Sequence, residues 1–294
     1  MPKKRLDLFP YVLIAPAVFA ATLVVLIPIL QTAGMSFMNY LIYKPKARSF
    51  IGLKNYITAL ADPVFWISIR HTVVWIAGVI SLQLALGFGA ALLLNRNFWW
   101  RGIARSLILI PWVTPSVITA LMWRWMYDGN RGVINDLLVR FGFLRHYFPW
   151  LSNDKTALVS VMVALMWQGF PFFTIMIMAG LQSIPSSLYE AAMVDGAGAV
   201  TRFVKITVPL LIPILFTTIL LRIIWVANSL DIIFVMTGGG PGYSTYTLPL
   251  YSYVKAYKAL DFGYAATLAL LLAALLAVVV AGYVAKVLST EDSQ

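Results

Sequence analysis

Uncharged, mostly apolar runs occupy most of this chain, and they limit what it can fold into more than any other feature does. The runs cover residues 8–43, 71–95, 106–123, 156–189, 206–221 and 262–285, and the fifth continues beyond Arg222 to Leu230. A helix that crosses a membrane needs about 20 mostly apolar residues. We therefore predict six spans in a single domain over residues 1–294, at about residues 9–33, 71–94, 106–127, 156–181, 207–231 and 262–286.

The composition supports a membrane protein. Hydrophobic residues make up 61% of the chain and charged residues 11%, whereas a soluble fold of this size would need far more charged surface. The strand-like alternation of a membrane barrel is absent, so the spans are helices. The predicted fold class is all-α integral membrane, with six transmembrane helices.

The formal net charge of +11 has a simple explanation in such a protein. Basic residues in the loops face phospholipid head groups, so membrane lipid is the expected partner and nucleic acid is not. The first 30 residues imitate a signal peptide, but their apolar run is too long and no convincing cleavage site follows it, which predicts a retained first helix. The chain has no cysteine, and this excludes disulfides and thiolate chemistry.

Six spans place both termini on one side of the membrane and the loops at about residues 39–70, 127–156 and 231–262 on the other. The shorter loops carry the denser basic clusters, Lys3-Lys4-Arg5 and Arg96/Arg101/Arg105. By the positive-inside rule, this density predicts that both termini are cytoplasmic.

Glycine and proline interrupt two of the apolar runs. The fourth contains MWQGFPFF, in which Gly169 and Pro171 predict a kink or local unwinding near the middle of the span. The fifth ends in MTGGGPGYST, in which three glycines and Pro241 cannot continue a helix, so the chain must turn there.

A short polar insertion at residues 182–206 separates the fourth and fifth spans. Ser187 and Glu190 have capping-box spacing, which predicts the start of a helix, and Gly196 can close that helix in the left-handed conformation. A second helix follows, with Val200, Phe203, Val204 and Thr207 on one face. An amphipathic segment in the lipid interface would fit this pattern, but anionic head groups would repel Glu190 and Asp195, so a protein partner fits better.

The insertion EAAMVDGAGAVTRFVKITVP resembles the EAA loop of ABC-importer permeases. The segments TGGGPGYST, YSYVKAYKALDFGYAA and FIGLKNYITAL resemble the carbohydrate-uptake branch of these binding-protein-dependent importers, and the resemblance covers nearly the whole chain. It implies a type I ABC-importer permease fold in a bacterial or archaeal inner membrane. The sequence contains no G-x-x-x-x-G-K-[ST] motif, so this chain cannot cradle ATP itself.

The resemblance also implies partners and a mechanism. A second, related permease subunit completes the pore, two ATP-binding subunits use ATP and Mg²⁺, and an extracytoplasmic protein delivers the sugar, while this chain binds no cofactor. ATP-driven closure pushes on the EAA loop and changes the access of the pore. The implied coupling residues are Glu190, Ala191, Ala192, Asp195, Gly196 and Ala197.

The same resemblance assigns a substrate site to two spans. The implied substrate-binding residues are Leu165, Gln168, Gly169, Phe172, Arg222, Val226, Ser229 and Asp231. Maltose-type permeases carry amides at several of these positions, and the absence of those amides here argues against maltose. Arg222 is either half of an interhelical pair or part of the pathway, because a charge inside a bilayer needs a partner and usually faces a cavity.

Two other classes of function remain as alternatives. An ion-coupled secondary transporter usually carries carboxylates deep in its bundle, and no Asp or Glu lies deep in a predicted span here. A membrane enzyme would need catalytic or metal-binding residues, but His71 and His146 show no metal spacing and no nucleophile motif accompanies them. No metal site and no catalytic residue are predicted. Glycerol-phosphate or an acidic oligosaccharide is the alternative substrate.

Overall fold

The computed structural model describes the backbone of residues 9–291 and the side chains of residues 11–285, so the cluster Lys3-Lys4-Arg5 lies outside the described part. The helices are α1 (Phe9–Ala21), α2 (Ile27–Ser36), α3 (Lys54–Ala61), α4 (Pro63–Leu94), α5 (Arg101–Leu107), α6 (Ile110–Val113), α7 (Ser116–Met126), α8 (Val133–Arg140), α9 (Ala157–Ser183), α10 (Ser186–Val194), α11 (Ala199–Arg202), α12 (Val208–Asn228), α13 (Asp231–Met236), α14 (Leu248–Tyr257) and α15 (Phe262–Glu291). The π-helical turns Thr22–Leu26 and Phe203–Thr207 join α1 to α2 and α11 to α12.

Among the described residues, five continuous helical stretches are long and apolar enough to cross a membrane. They are Tyr11–Ser36, Pro63–Leu94, Ala157–Ser183, Ala199–Asn228 and Phe262–Ala285. A sixth span is formed if Arg101–Val113 and Ser116–Met126, which meet at an angle of 93°, cross the membrane together. The chain is therefore a mostly helical, multi-pass membrane protein.

The third span, predicted at about residues 106–127, contains a break between α6 and α7 that was not predicted from the sequence. The cause lies in the sequence IPWVTPSV. Thr114 precedes Pro115 and has an extended ψ of 126°, because a proline ring disfavours the helical conformation of the residue before it. Pro115 then stands at the N-cap of α7.

The fourth span is continuous, so local unwinding, one of the two outcomes predicted at Gly169 and Pro171, is wrong, and the kink stays a prediction. α9 is helical from Ala157 to Ser183 with Pro171 inside it. The second break lies instead in the fifth span, where α12 ends at Asn228, Ser229 has a ψ of 99°, and α13 begins at Asp231.

One compact unit contains residues 9–63 and 251–275. In it, strands β1 (Met38–Asn39) and β2 (Ser49–Phe50) form an antiparallel hairpin that pairs Met38 with Phe50. The carboxylate of Asp62 accepts hydrogen bonds from the hydroxyls of Tyr251 and Tyr264, and these bonds tie the end of α3 to α14 and α15.

The other compact unit contains residues 64–250 and 276–291 of the described chain. Its core includes Trp75, Val161, Phe173, Leu211 and Ile233, all of which are fully buried. Because membrane helices gain little from apolar association in lipid, close packing and interhelical hydrogen bonds hold such a bundle. A Cβ at Gly180 would clash with Leu211, so this glycine allows α9 and α12 to approach closely.

Candidate functional site

A cavity of about 220 Å³ lies inside the larger unit, between α6, α9 and α12. Its lining residues are Trp112, Leu165, Gln168, Gly169, Arg222, Trp225, Val226 and Ser229. Leu165 is eight residues from the start of α9, roughly 12 Å at the helical rise, so the cavity is well inside the span. This deep cavity is the candidate substrate site.

The deep cavity lies where the two broken spans meet. Trp112 precedes the break between α6 and α7, and Ser229 forms the break between α12 and α13. The starts of α7 and α13 are joined by a hydrogen bond of 3.2 Å from Ser116 Oγ to Asp231 Oδ2. Discontinuous helices at membrane depth are tolerated only where protein or a cavity satisfies the freed backbone groups, and they typically mark a transport site.

Arg222 is buried and belongs to an interhelical hydrogen-bond chain. Its Nε donates to Gln83 Oε1 over 3.0 Å, and Gln83 Nε2 donates to the carbonyl of Leu165 over 2.7 Å. A Cβ on Gly169 would clash with both Gln83 and Arg222. The absence of a side chain at Gly169 therefore leaves the space that the hydrogen-bonded side chains of Gln83 and Arg222 occupy. Gly169 therefore acts by allowing this close approach.

Among residues 11–285, whose side chains the structure describes, no carboxylate forms an ion pair with Arg222, and the ion pair found there joins Arg140 to Asp136. A guanidinium has five N–H donors, and one of them bonds to Gln83. The remaining N–H groups of Arg222 can serve a ligand in the cavity. Arg222 is thus paired across helices and also lines the deep cavity, and its role in a substrate pathway stays a prediction.

Aromatic rings form one wall of the site. The Phe172 ring centroid lies 6.0 Å from that of Trp112 and 5.1 Å from that of Trp225. The guanidinium carbon of Arg222 lies 5.9 Å from the Phe172 centroid and 5.8 Å from the Trp225 centroid, within cation–π range. Trp112 and Trp225 line the cavity itself, while Phe172 packs against both rings.

Gln168 connects the cavity to the break in the third span. Its Nε2 donates to the carbonyl of Thr114 over 2.9 Å. The turn at Pro115 takes this carbonyl out of the regular helical ladder, so the amide satisfies a polar group that the break exposes. The other N–H of the amide and the lone pairs of Oε1 can serve a ligand.

The structure brings six of the eight sequence-derived substrate residues to the cavity lining: Leu165, Gln168, Gly169, Arg222, Val226 and Ser229. Phe172 lies behind the two tryptophans, and Asp231 is bonded to Ser116. Sequence reasoning missed Gln83, Trp112 and Trp225. Two signals could have found Gln83 and Trp225: Gln83 is an amide inside an apolar span, and Trp225 is one helical turn after Arg222.

A larger polar cavity of about 630 Å³ lies at the other end of α7 and α13. Arg124, Tyr127, Asp128, Asn130 and Tyr147 are among its lining residues. The backbone N–H groups of Asn130 and Arg131 lower the pKa of Asp128. At neutral pH this cavity, called the outer cavity below, therefore contains phenol hydroxyls beside a carboxylate and a guanidinium. Since α7 has 11 residues, the two cavities are separated by roughly 15 Å of helix.

The insertion after α9 folds into α10, a glycine turn and a helix that runs into α12. Gly196 has a φ of +77°, its N–H donates to Met193, and the N–H of Ala197 donates to Ala192. These two bonds define a Schellman motif and confirm the predicted closing glycine. The predicted capping box is wrong, because α10 begins at Ser186 after the extended Pro185 and has no side-chain cap.

The EAA helix α10 buries no residue. Of the implied coupling residues, Glu190, Ala191, Asp195 and Gly196 are exposed, and Ala192 and Ala197 are half-buried. Val194 and Val200 are also 88% and 77% exposed, so the loop presents apolar and acidic groups together. Two contacts fix the loop to the bundle: the Tyr189 hydroxyl lies 2.9 Å from Thr207 Oγ1, and the Phe203 ring lies 5.9 Å from that of Phe88.

Residues 83–290 match the family described as binding-protein-dependent transport system inner membrane component. The sulfoquinovosyl glycerol transport system permease protein of Agrobacterium fabrum is 36% identical over 285 residues, covering 97% of this chain and 92% of the relative. The trehalose/maltose transport system permease protein of Thermococcus litoralis is 36% identical over 261 residues, covering 89% and 87%.

The fold also matches a solved structure. A chain in the crystal structure of a bacterial ABC transporter involved in the import of the acidic polysaccharide alginate superposes with a TM-score of 0.81 at 19% identity. The match covers 94% of each chain. This likeness confirms the type I ABC-importer permease fold.

Proposed function

Because this chain belongs to the binding-protein-dependent transport system inner membrane component family, we propose that it is the permease subunit of an ATP-driven importer that moves a sugar or oligosaccharide into the cytoplasm. The observation that carries the proposal is the deep cavity where the two broken spans meet, lined by Gln168, Arg222 and two tryptophans. Permeases named for carbohydrate transport are 36% identical to this chain, which supports a carbohydrate as the substrate.

The chemistry of the cavity suits a sugar. A sugar ring presents hydroxyls at its edge and C–H groups on its faces, so it needs hydrogen-bonding side chains beside an aromatic surface. Gln168 and Arg222 supply amide and guanidinium donors, and the rings of Trp112 and Trp225 supply flat apolar surface. Leu165, Val226 and Ser229 complete the wall, and Gly169 leaves room for Arg222.

Arg222 favours an acidic substrate over a neutral one as a second candidate. Its buried charge has no carboxylate partner in the described chain, and an anionic group on the sugar would supply one. The structural relative imports an acidic polysaccharide, in agreement with this candidate. Glycerol-phosphate would bring a comparable charge but offers less surface to the two tryptophans.

The exposed EAA loop is the proposed contact with the ATP-binding subunits. α10 leaves apolar and acidic groups uncovered, and the Tyr189–Thr207 contact joins it to the helix that leads to Arg222 and Ser229. Movement at α10 can therefore be transmitted along α12 to the break beside the deep cavity. In this proposal ATP and Mg²⁺ bind to the partner subunits, and this chain binds no cofactor.

The proposed assembly contains a second permease subunit, two ATP-binding subunits and an extracytoplasmic binding protein. A related importer has been solved with an alginate pentasaccharide-bound periplasmic protein, which supports a binding-protein partner. We place α10 and both termini in the cytoplasm of a bacterial or archaeal cell. The outer cavity then lies on the opposite side, beyond the start of α9, where a delivered sugar would enter.

Transport by purified, reconstituted complexes tests the proposal. The full chain carrying an affinity tag should co-purify with a different permease and an ATPase, and proteoliposomes should take up labelled sugar only with ATP and the binding protein. Uptake that requires a proton or sodium gradient and does not depend on ATP would instead support the ion-coupled carrier. No carboxylate is among the residues that line the deep cavity, so we expect no such dependence.

A further inference from the structure

An apolar cavity of about 690 Å³ lies between the end of α4 and the helix α5, away from the deep cavity. Leu93, Phe98, Ala104, Leu107 and Ile108 are among its lining residues. Leu93 and Leu107 are 64% and 55% exposed, so the cavity is an open groove on the surface of the bundle. This α4–α5 groove has the size and apolar lining to hold part of an acyl chain.

Three arginines lie on the segments that form the groove. Arg96 is one of its lining residues, and Arg101 and Arg105 lie on α5. Arg105 Nη2 donates to the carbonyl of Leu94, while its buried Nε has no hydrogen-bond partner in the described part of the chain. The sequence has no Asp or Glu between Asp62 and Asp128. Nothing acidic on these elements neutralises the arginines.

Two tryptophans between α4 and α5 indicate the level at which the groove lies in the membrane. Trp99 is 93% exposed and Trp100 is 47% exposed, and Trp100 also lines the groove. Exposed tryptophans in membrane proteins concentrate where head groups meet the hydrocarbon. The arginines beside them therefore lie at the level of lipid phosphates, and the apolar lining faces the acyl region.

We propose that the α4–α5 groove binds one anionic phospholipid, with an acyl chain in the apolar cavity and the phosphate among Arg96, Arg101 and Arg105. Charge complementarity selects this occupant, because three unneutralised guanidiniums at phosphate depth favour a lipid with net negative charge over a zwitterionic one. The site is independent of the sugar cavity.

Native mass spectrometry of the detergent-purified full chain, with the subunits that accompany it, measures this binding. The probes are phosphatidylglycerol and phosphatidylcholine with identical acyl chains. We expect phosphatidylglycerol to be retained at least tenfold better. The double variant Arg96→Gln/Arg101→Gln should remove most of this preference while leaving the bond from Arg105 to Leu94 intact. Ala104→Phe, which fills the groove without changing charge, should lower the retention of phosphatidylglycerol.

A matched control removes charges elsewhere on the surface. Lys44→Gln/Lys46→Gln neutralises two exposed basic residues in a different loop and should leave the preference unchanged. Equal retention of the two lipids, or a preference that survives Arg96→Gln/Arg101→Gln, would overturn the proposal. Loss of the lipid whenever the partner subunits are bound would also overturn it, because a protein surface would then occupy the groove.

Discussion

The missing Cβ of Gly169 leaves the space that Gln83 and Arg222 share. Gly169→Ala should displace one of them and break the bond between Gln83 Oε1 and Arg222 Nε, at a cost of about 1–3 kcal/mol for overpacking. We expect a lower melting temperature of the purified chain and little or no uptake. Gly89→Ala is the matched control, since Gly89 is helical and nothing lies within 4 Å of its added Cβ. If both variants transport normally, the network around Arg222 is not needed.

The two tryptophans of the deep cavity provide a second test at the level of single side chains. Trp225→Ala removes one face of the proposed sugar site, and the KM for uptake should rise about tenfold, equivalent to about 1.4 kcal/mol. Trp125→Ala is the control, because Trp125 is 68% exposed and is not among the residues that line either polar cavity. A reduced yield of the Trp225→Ala complex with an unchanged KM would show that Trp225 has a packing role only.

Among the elements, the turn after α10 depends most directly on one residue. Gly196 has a φ of +77°, a conformation that costs an L-residue about 1–2 kcal/mol. Gly196→Ala should therefore distort the Schellman turn and weaken association with the ATP-binding subunit by roughly five- to thirtyfold. Binding of the ATPase can be measured with the purified complex, and ATP-dependent uptake should fall in parallel.

The neighbouring glycine is the control for this prediction. Gly198 has a φ of −67°, and nothing lies within 4 Å of an added Cβ. Gly198→Ala should leave association and uptake close to wild type. If Gly196→Ala and Gly198→Ala had the same association with the ATP-binding subunit and the same uptake, the left-handed turn would have no part in coupling.

The order and apolarity of the helices could be predicted from the sequence, but their breaks could not be placed correctly. A charge-free run shows where hydrocarbon can surround a helix, and this signal found the continuous spans. Proline effects depend on context: Pro171 is accommodated inside α9, whereas Pro115 follows an extended Thr114 whose freed carbonyl is satisfied by Gln168. That compensating bond joins residues 54 positions apart in sequence, so no local pattern reveals it.

The same limit applies to the site. The family motifs located the cavity residues on α9 and α12, because those residues are close in sequence to the motifs. Trp112 and Gln83 reach the site from other helices, and only tertiary packing brings them there. Helices α3, α8 and α14 were also missed, since short helices outside the apolar runs lack the long hydrophobic signal.

At the scale of the whole molecule, alternating access requires the deep cavity to open to one side at a time. The chain contains no cysteine, so a single introduced thiol reports on one position without background labelling. Ser229→Cys places that thiol in the deep cavity, at the break between α12 and α13. In inside-out vesicles, a membrane-impermeant maleimide should label it in the nucleotide-free complex.

ATP, vanadate and liganded binding protein together should protect Ser229→Cys, because closure of the ATPase subunits would move α10 and shut the cytoplasmic path to the cavity. Ser106→Cys, exposed on α5, should react equally in both states. Labelling rates measured by gel shift would separate the outcomes. Equal reactivity of Ser229→Cys in the two states would contradict a coupling loop that controls access, whereas protection of both thiols would indicate general shielding by partner subunits. A loss of maleimide labelling that is confined to Ser229→Cys requires that a movement beginning at α10 reaches the deep cavity, where the two broken spans meet.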